Sequence, residues 1–199
     1  MLISEHEQGS DLWIQARCGL PTASNFDKIL TTKGAPSKSS QKYMHQLAGE
    51  CVTQVKENGY QSTAMTRGIE VESEAISFYE LTNDVKVERV GLCYLDEQKK
   101  VGASPDGLVG DDGMIEIKCP EIHTHVSYLI NGGLEMAYFQ QCQGQLFVTG
   151  RRWVDLVSYY PGLKPLIIRV ERDEKFIKAL KWELNLFCDA LDELVEKIK

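Results

Sequence analysis

Apolar residues recur along this chain in two periods, one near 3.6 and one of 2, and the two kinds of segment are interleaved. Ser10 is placed to cap a short helix running through Arg17, and Thr22 or Ser24 to start another that reaches Leu30. The run 31–40, rich in Thr, Ser, Gly and Pro, reads as a loop, and a helix follows it to about Lys56. From 69 to 81 the spacing predicts a helix with Glu72, Ile76 and Tyr79 along one face. Strands are predicted over about 86–95, 100–104 and 114–118. A helical pattern over 134–148 carries Leu134, Ala137, Tyr138 and Leu146, with Gln141 and Gln145 on the same stripe. A glutamine inside an apolar stripe has a polar task there. Strands at 153–160 and 166–171 come next, and Asp173 caps a long amphipathic helix that turns Phe176, Leu180, Leu184, Phe187, Leu191 and Leu194 inward. This order defines an α/β fold, a central mixed β-sheet flanked by helices.

Composition changes that picture only at the edges. With 199 residues and 43% hydrophobic side chains, the chain is sized for one domain spanning 1–199 with an adequate core. No apolar run reaches membrane-spanning length, and Met1–Glu7 lacks the basic flank and apolar core of a signal sequence, so a cytoplasmic protein is expected. Six cysteines without a CxxC pair point to reduced, mostly buried thiols. The net charge of −7 excludes a general nucleic-acid coat protein, because neutralising phosphates dominates such binding. The stretch from Trp13 to Gly68 is locally basic, however, with Arg17, Lys28, Lys33, Lys38, Lys42, Lys56 and Arg67 against Asp27, Glu50 and Glu57. An acidic protein with a basic entrance is coherent if its acids are gathered around cations.

The chemistry concentrates between Ser104 and Lys118. On a strand, Glu116 and Lys118 share a face while Ile115 and Ile117 point the other way. A turn at Gly110–Gly113 folds the preceding strand back and sets Asp106 beside Glu116. Carboxylates and an amine converging on one spot can hold a divalent cation and activate water, which is the chemistry of phosphodiester hydrolysis. Magnesium prefers carboxylate and carbonyl oxygens, so the Ile117 carbonyl is a natural further ligand beside Asp106 and Glu116. Lys118 would position or deprotonate the attacking water, with a pKa lowered by burial and nearby cations. A zinc set of Cys119, His123, His125 and Cys142 lacks the paired spacing of structural zinc sites, and the histidines read instead as loop residues that touch DNA.

Pro105-Asp106, nine residues, then Glu116-x-Lys118 resembles the PD-(D/E)xK nuclease superfamily. The neighbours narrow this. Arg17 with Gly19, Thr22-Ala23-Ser24, Arg67-Gly-Ile-Glu-Val-Glu72, Ser104-Pro-Asp-Gly107, Glu116-Ile-Lys-Cys-Pro120 and Gln141-Cys-Gln143 stand in the order seen in phage recombination exonucleases. From about Gln8 to Glu174 the chain is similar to phage lambda-type 5′→3′ exonucleases.

The resemblance implies a restriction-endonuclease-like core and a magnesium-dependent 5′→3′ exodeoxyribonuclease. Such an enzyme resects the 5′-ended strand of linear duplex DNA, releases 5′-mononucleotides and leaves a 3′ single strand for annealing-type recombination. It implies two Mg²⁺ ions, with Mn²⁺ as a substitute, a ring-shaped homotrimer, a single-strand annealing protein as partner, and a phage or prophage gene expressed in a bacterial host cell. On the residues, it implies that Glu72 completes the metal pocket, that Gln141 orients the nucleophile or the scissile phosphate, and that Arg17, Ser24 and Ser104 grip the 5′-terminal phosphate. Met65 stands at the position of a wedge that splits the terminal base pair, and Asp96 at that of an accessory acid near the site. A structure-specific or restriction-like endonuclease and a non-catalytic DNA-binding module are the alternatives: an endonuclease cuts circular duplex DNA, an exonuclease cuts only linear duplex, and a binding module leaves both forms whole.

Overall fold

In the computed structural model, the backbone is described for residues 1–56 and 63–199, and side chains for all but 57–70. The sheet that carries the site has five strands in the order β2 (Val87–Glu88), β5 (Gly107–Val109), β6 (Gly113–Lys118), β7 (Trp153–Ser158) and β8 (Leu166–Glu171). Only β6 and β7 run parallel; the other pairs are antiparallel. A smaller antiparallel sheet orders β1 (Leu2–Ile3), β3 (Cys93–Tyr94) and β4 (Gly102–Ala103). The expected mixed sheet flanked by helices is the observed fold.

Alternation along β6 sorts its two faces. Ile115 and Ile117 pack with Val109, Val157 and Tyr159 against Ala75, Ile76 and Tyr79 of α3 (Thr63–Asn83). Met114 points the other way, into the larger core formed with Leu108, Val154 and Leu156. That core is covered by α6 (Phe139–Thr149) and α7 (Glu174–Ile198), with α2 (Ser40–Thr53) packed on α7. Glu116 and Lys118 share the face of Met114, so they meet α6.

Helix α6 approaches the rest of the core closely because residue 144 is glycine. A Cβ there would lie 2.4 Å from the ring of Phe26, a fully buried residue of the 3-10 helix Ala23–Lys28. The segment ahead of that helix is tied to β4, Gly102 N–H donating to the carbonyl of Pro21 at 3.1 Å. Helix α1 (Asp11–Ala16) begins where expected, Ser10 accepting a hydrogen bond from the Trp13 amide at 3.2 Å.

Four expectations are corrected. The strand at 86–95 is two short strands in different sheets. Between them Gly91 passes so close to the His6 carbonyl that a Cβ would meet it at 2.0 Å. The helix at 134–148 is broken at Tyr138 (φ −118°, ψ 17°) into α5 (Leu134–Ala137) and α6. His123 and His125, read as loop residues, belong to a helix, α4 (Ile122–Asn131). The helix expected from Thr22 or Ser24 is the 3-10 helix, and Thr22 gives it no side-chain cap. No helix among the described residues is long and apolar enough to cross a membrane. No disulfide joins the cysteines; Cys93, Cys142 and Cys188 are buried, and Cys18, Cys51 and Cys119 are half-buried.

Candidate active site

The register of β5 and β6, Gly107 opposite Ile115, sets Asp106 across from Glu116 one step further on. Asp106 Oδ2 accepts the Ile117 amide at 2.6 Å, which closes the turn of chain entering β5. Glu116 is 3% exposed, and both its oxygens are held: Oε1 by Lys118 Nζ at 2.7 Å and Gln141 Nε2 at 2.6 Å, Oε2 by Gln145 Nε2 at 2.6 Å. The two glutamines stand one helical turn apart on α6 and present the same face to β6. Lys118 is also bound to Gln141 Oε1 at 3.1 Å and lies 4.6 Å from the ring centroid of Tyr138. The helix break at Tyr138 thus sets an aromatic face against the ammonium.

A second set of groups meets this one. Arg17, the C-cap of α1, donates from Nη1 to Ser104 Oγ at 2.9 Å and from Nη2 to Thr22 Oγ1 and Ser24 Oγ at 3.4 Å each. Its guanidinium lies 4.3 Å from the ring centroid of Trp13, whose Nε1 also donates to Ser104, at 3.2 Å. Among the described residues no carboxylate lies within ion-pair distance of Arg17. A guanidinium with hydroxyls around it and no counter-ion is built for an anion. Arg17, Trp13, Ser24, Ser104, Asp106, Glu116, Gln141 and Gln145 all line one cleft of about 140 Å³.

The electrostatics follow from crowding. Burial raises Asp106 well above the usual carboxylate range, Glu116 and Glu72 raise it further, and Lys118 and the Ile117 amide oppose them. Burial also raises Glu72, which feels Arg89, Glu116 and Lys118. The helical acid is therefore within electrostatic reach of the pair. Burial pulls Lys118 down, but Glu116 and Asp106 push harder and leave it above the ordinary lysine value. Without cations the two carboxylates outweigh the loss of solvent; the expected lowering of the Lys118 pKa supposed cations beside it.

Among the described residues no three His, Cys, Asp or Glu side chains form a ready cage for a metal. The donors present still suit magnesium, which binds through one or two carboxylates and completes its shell with water and substrate phosphates. Asp106, Glu116 and the Ile117 carbonyl are hard oxygen donors, with Glu72 nearby. Burial and then the charge of Glu116 raise Asp106, and a cation there would offset the crowding of the two carboxylates.

Some expected residues stand elsewhere. Asp96 sits in an exposed turn, its Oδ1 accepting the Gln98 amide at 2.9 Å, and lines a different hollow with Asn185 and Asp189. Local turn geometry holds that acid, and it does not join the cleft. Met65 falls within α3, and its side chain lies outside the described residues, as do those of Arg67 and Glu70. His125 is fully buried in α4, with Nδ1 2.7 Å from Ser158 Oγ and Nε2 3.1 Å from the Lys164 carbonyl, so it is neither a loop residue nor a zinc ligand. Lys56 is paired with Glu50 rather than open to an entrance, whereas Lys33, Lys38 and Lys42 are exposed. Gln143 faces away from the cleft and ties the Glu171 carbonyl to the Asp173 amide. Trp13, Thr22 and Gln145 join the site, although none of them has a specific role in it assigned from the sequence. For Gln145 the signal was its place one turn after Gln141.

The sheet order, the two flanking helical layers and the clustered carboxylates define a PD-(D/E)xK-like nuclease fold. Residues 12–152 match the model of the YqaJ-like viral recombinase domain, and the chain belongs to that family. An alkaline exonuclease, LHK-Exo, from Laribacter hongkongensis is 36% identical, with a TM-score of 0.86 over 95% of this chain and 96% of its own. Its complex with dAMP matches equally, with a TM-score of 0.86, 36% identity and 96% of each chain covered. A phage-related exonuclease from Haemophilus somnus 129PT shares the fold, with a TM-score of 0.70 at 15% identity over 90% of this chain and 96% of its own. A search of curated protein sequences finds no significant match. The family and the 36% identity support a nuclease role in recombination.

Proposed function

We propose that this chain is a magnesium-dependent 5′→3′ exodeoxyribonuclease that resects the 5′-ended strand of linear duplex DNA and releases 5′-mononucleotides. The resulting 3′ single strand would feed annealing-type recombination. The observation that carries this reading is the shared cleft, in which phosphate donors on Arg17, Ser24 and Ser104 face the carboxylates of Asp106 and Glu116. A generic phosphodiesterase has no use for a second anion pocket beside the scissile bond. An exonuclease that counts from a phosphorylated end does. That LHK-Exo forms a complex with dAMP, a 5′-mononucleotide, supports this reading.

In this reading the terminal phosphate docks on the Arg17 fork, while Ser104 and Ser24 donate their hydroxyl protons to it. That contact sets how far the strand enters and which phosphodiester reaches Asp106 and Glu116. These two, with the Ile117 carbonyl and Glu72, would hold the ions. Magnesium bound there would supply Lewis acidity toward the scissile phosphate and its attacking water. Gln141 and the Lys118 ammonium orient that water and neutralise charge developing on the phosphate, and Gln145 keeps Glu116 in place. A homotrimeric ring and a single-strand annealing partner belong to the same reading, which rests for them on the lambda-type motif order.

The test is the initial rate on linear duplex with a 5′-phosphate or a 5′-hydroxyl, with circular duplex as control. A charge-assisted fork contributes about 1.5–3 kcal/mol, so the phosphorylated end should be degraded about ten-fold faster or more. Arg17→Ala should lose most of that preference, and circular DNA should stay whole. Equal wild-type rates on the two ends would overturn the phosphate pocket, and cleavage of circles would indicate an endonuclease.

A further inference from the structure

The turn that carries Arg17 is held from behind by an ion pair between buried Glu50 and half-buried Lys56 that does not line the cleft. Glu50, on α2, is 2% exposed. Its Oε2 accepts the Gly19 amide at 3.0 Å and Lys56 Nζ at 2.8 Å, and its Oε1 accepts Gln46 Nε2 at 2.9 Å. Lys56 Nζ also donates to the carbonyl of Arg17 at 3.1 Å. Cysteines complete the grip: Cys51 Sγ donates to the Gly19 carbonyl at 3.7 Å and Cys18 Sγ to the Glu50 carbonyl at 3.4 Å. The fit admits no side chain at 19, where φ is +70° and a Cβ would lie 2.3 Å from Cys51 Sγ.

An ion pair whose lysine is partly in water adds little stability. This one spends its remaining hydrogen bonds on backbone groups of residues 17 and 19, at and just beyond the residue that carries the guanidinium. A bidentate grip on an anion is sensitive to displacements of the order of 1 Å, which can cost about a hundred-fold in rate. We propose that Glu50 and Lys56 are positioning residues for end recognition: by fixing the turn at 17–19 they aim Arg17 at Ser104, Thr22 and Ser24, and so set the preference for a 5′-phosphate. The inference rests on the proposed phosphate pocket and goes beyond it, assigning specificity to residues outside the cleft.

Initial rates on 5′-phosphate and 5′-hydroxyl duplexes, for wild type, Glu50→Gln, Arg17→Ala and the double variant, test it. Glu50→Gln keeps the shape and an acceptor for Gly19 but releases Lys56. A wild-type preference of about ten-fold should fall to about two-fold in Glu50→Gln, with the 5′-hydroxyl rate changed less than about two-fold. In the double variant the Glu50 change should add nothing to the loss caused by Arg17→Ala, because both act on one interaction. If Glu50→Gln does not fold by circular dichroism, Lys56→Met is read in its place. A folded variant with both rates reduced equally and the preference intact would assign the pair to stability alone and overturn the proposal. A wild type without preference would instead remove the pocket on which it rests.

Discussion

Gln145 donates from Nε2 to Oε2 of Glu116 at 2.6 Å, from a position only 1% exposed. Gln141 holds Oε1 of the same carboxylate at the same distance, so one helix fixes both oxygens. The amide oxygen of Gln145 is buried without a hydrogen-bond partner among the described residues. Nothing in the core needs that amide. Its task is toward the carboxylate.

Gln145→Ala should therefore lower the single-turnover rate about ten-fold or more on either kind of 5′ end, since a hydrogen bond to a charged group contributes about 1.5–3 kcal/mol. The 5′-phosphate preference should not change, because Arg17 is untouched. Rates at saturating DNA check this. An unchanged rate would mean that Lys118 and Gln141 suffice to hold Glu116.

Asp106→Asn should separate stability from activity. The carboxyl of Asp106 is raised by burial, Glu116 and Glu72, so its protonated form is favoured in the folded state. A folded value above the unfolded one means stability that is complete at low pH and lost as pH rises through the folded pKa. In a chelating buffer, Asp106→Asn should melt higher than wild type, by a margin that opens as pH climbs above the ordinary carboxylate value. Cleavage should be abolished. Identical melting curves at every pH would sink the crowding argument.

Lys118→Ala should do the reverse to stability. The ammonium offsets the paired carboxylates throughout the neutral range, since its pKa is raised above the ordinary lysine value. Its removal should lower the melting temperature in chelator, and added Mg²⁺ should recover more of the loss than it adds to wild type. Activity should fall in Lys118→Ala and stay low in Lys118→Arg, where a flat fork replaces a point charge seated between Glu116, Gln141 and Tyr138. Full activity of the Arg variant would reduce Lys118 to charge alone.

Gly144→Ala tests the packing behind the site. A Cβ 2.4 Å from the ring of Phe26 forces α6 away from the 3-10 helix, and overpacking of this kind costs about 1–3 kcal/mol. Denaturant midpoints measure it. A neutral substitution would show that Phe26 can turn aside.

The parts of the site that were legible in the sequence are those set by short-range geometry. Alternation put Glu116 and Lys118 on one face, and the glycine turn put Asp106 opposite Glu116; both depend on neighbours along one hairpin. Gln141 stood out as a polar residue in an apolar stripe. Asp96 was misplaced because its exposed position depends on a turn closed by Gln98, which periodicity does not register. The strand at 86–95 looked continuous because its residues favour extended chain, but its two ends pair with distant strands of different sheets, and Gly91 between them packs on the His6 carbonyl. Helix α4 was hidden by its β-branched residues and histidines, although Pro120 before it and Gly132-Gly133 after it are boundary signals. The raised Lys118 pKa depends on how many carboxylates gather around the amine in space, which spacing along the chain does not count.

The contact between Gly144 and Phe26 has a consequence for divergence. A side chain at 144 and a full ring at 26 exclude each other, so among relatives the two positions are expected to change together, a larger residue at one matched by a smaller one at the other. Position 26 lies two residues beyond Ser24, and position 144 immediately before Gln145. Any exchange between them therefore moves the phosphate wall of the cleft against the carboxylate wall. The spacing between the two chemistries thus depends on a pair of apolar positions neither of which lines the cleft.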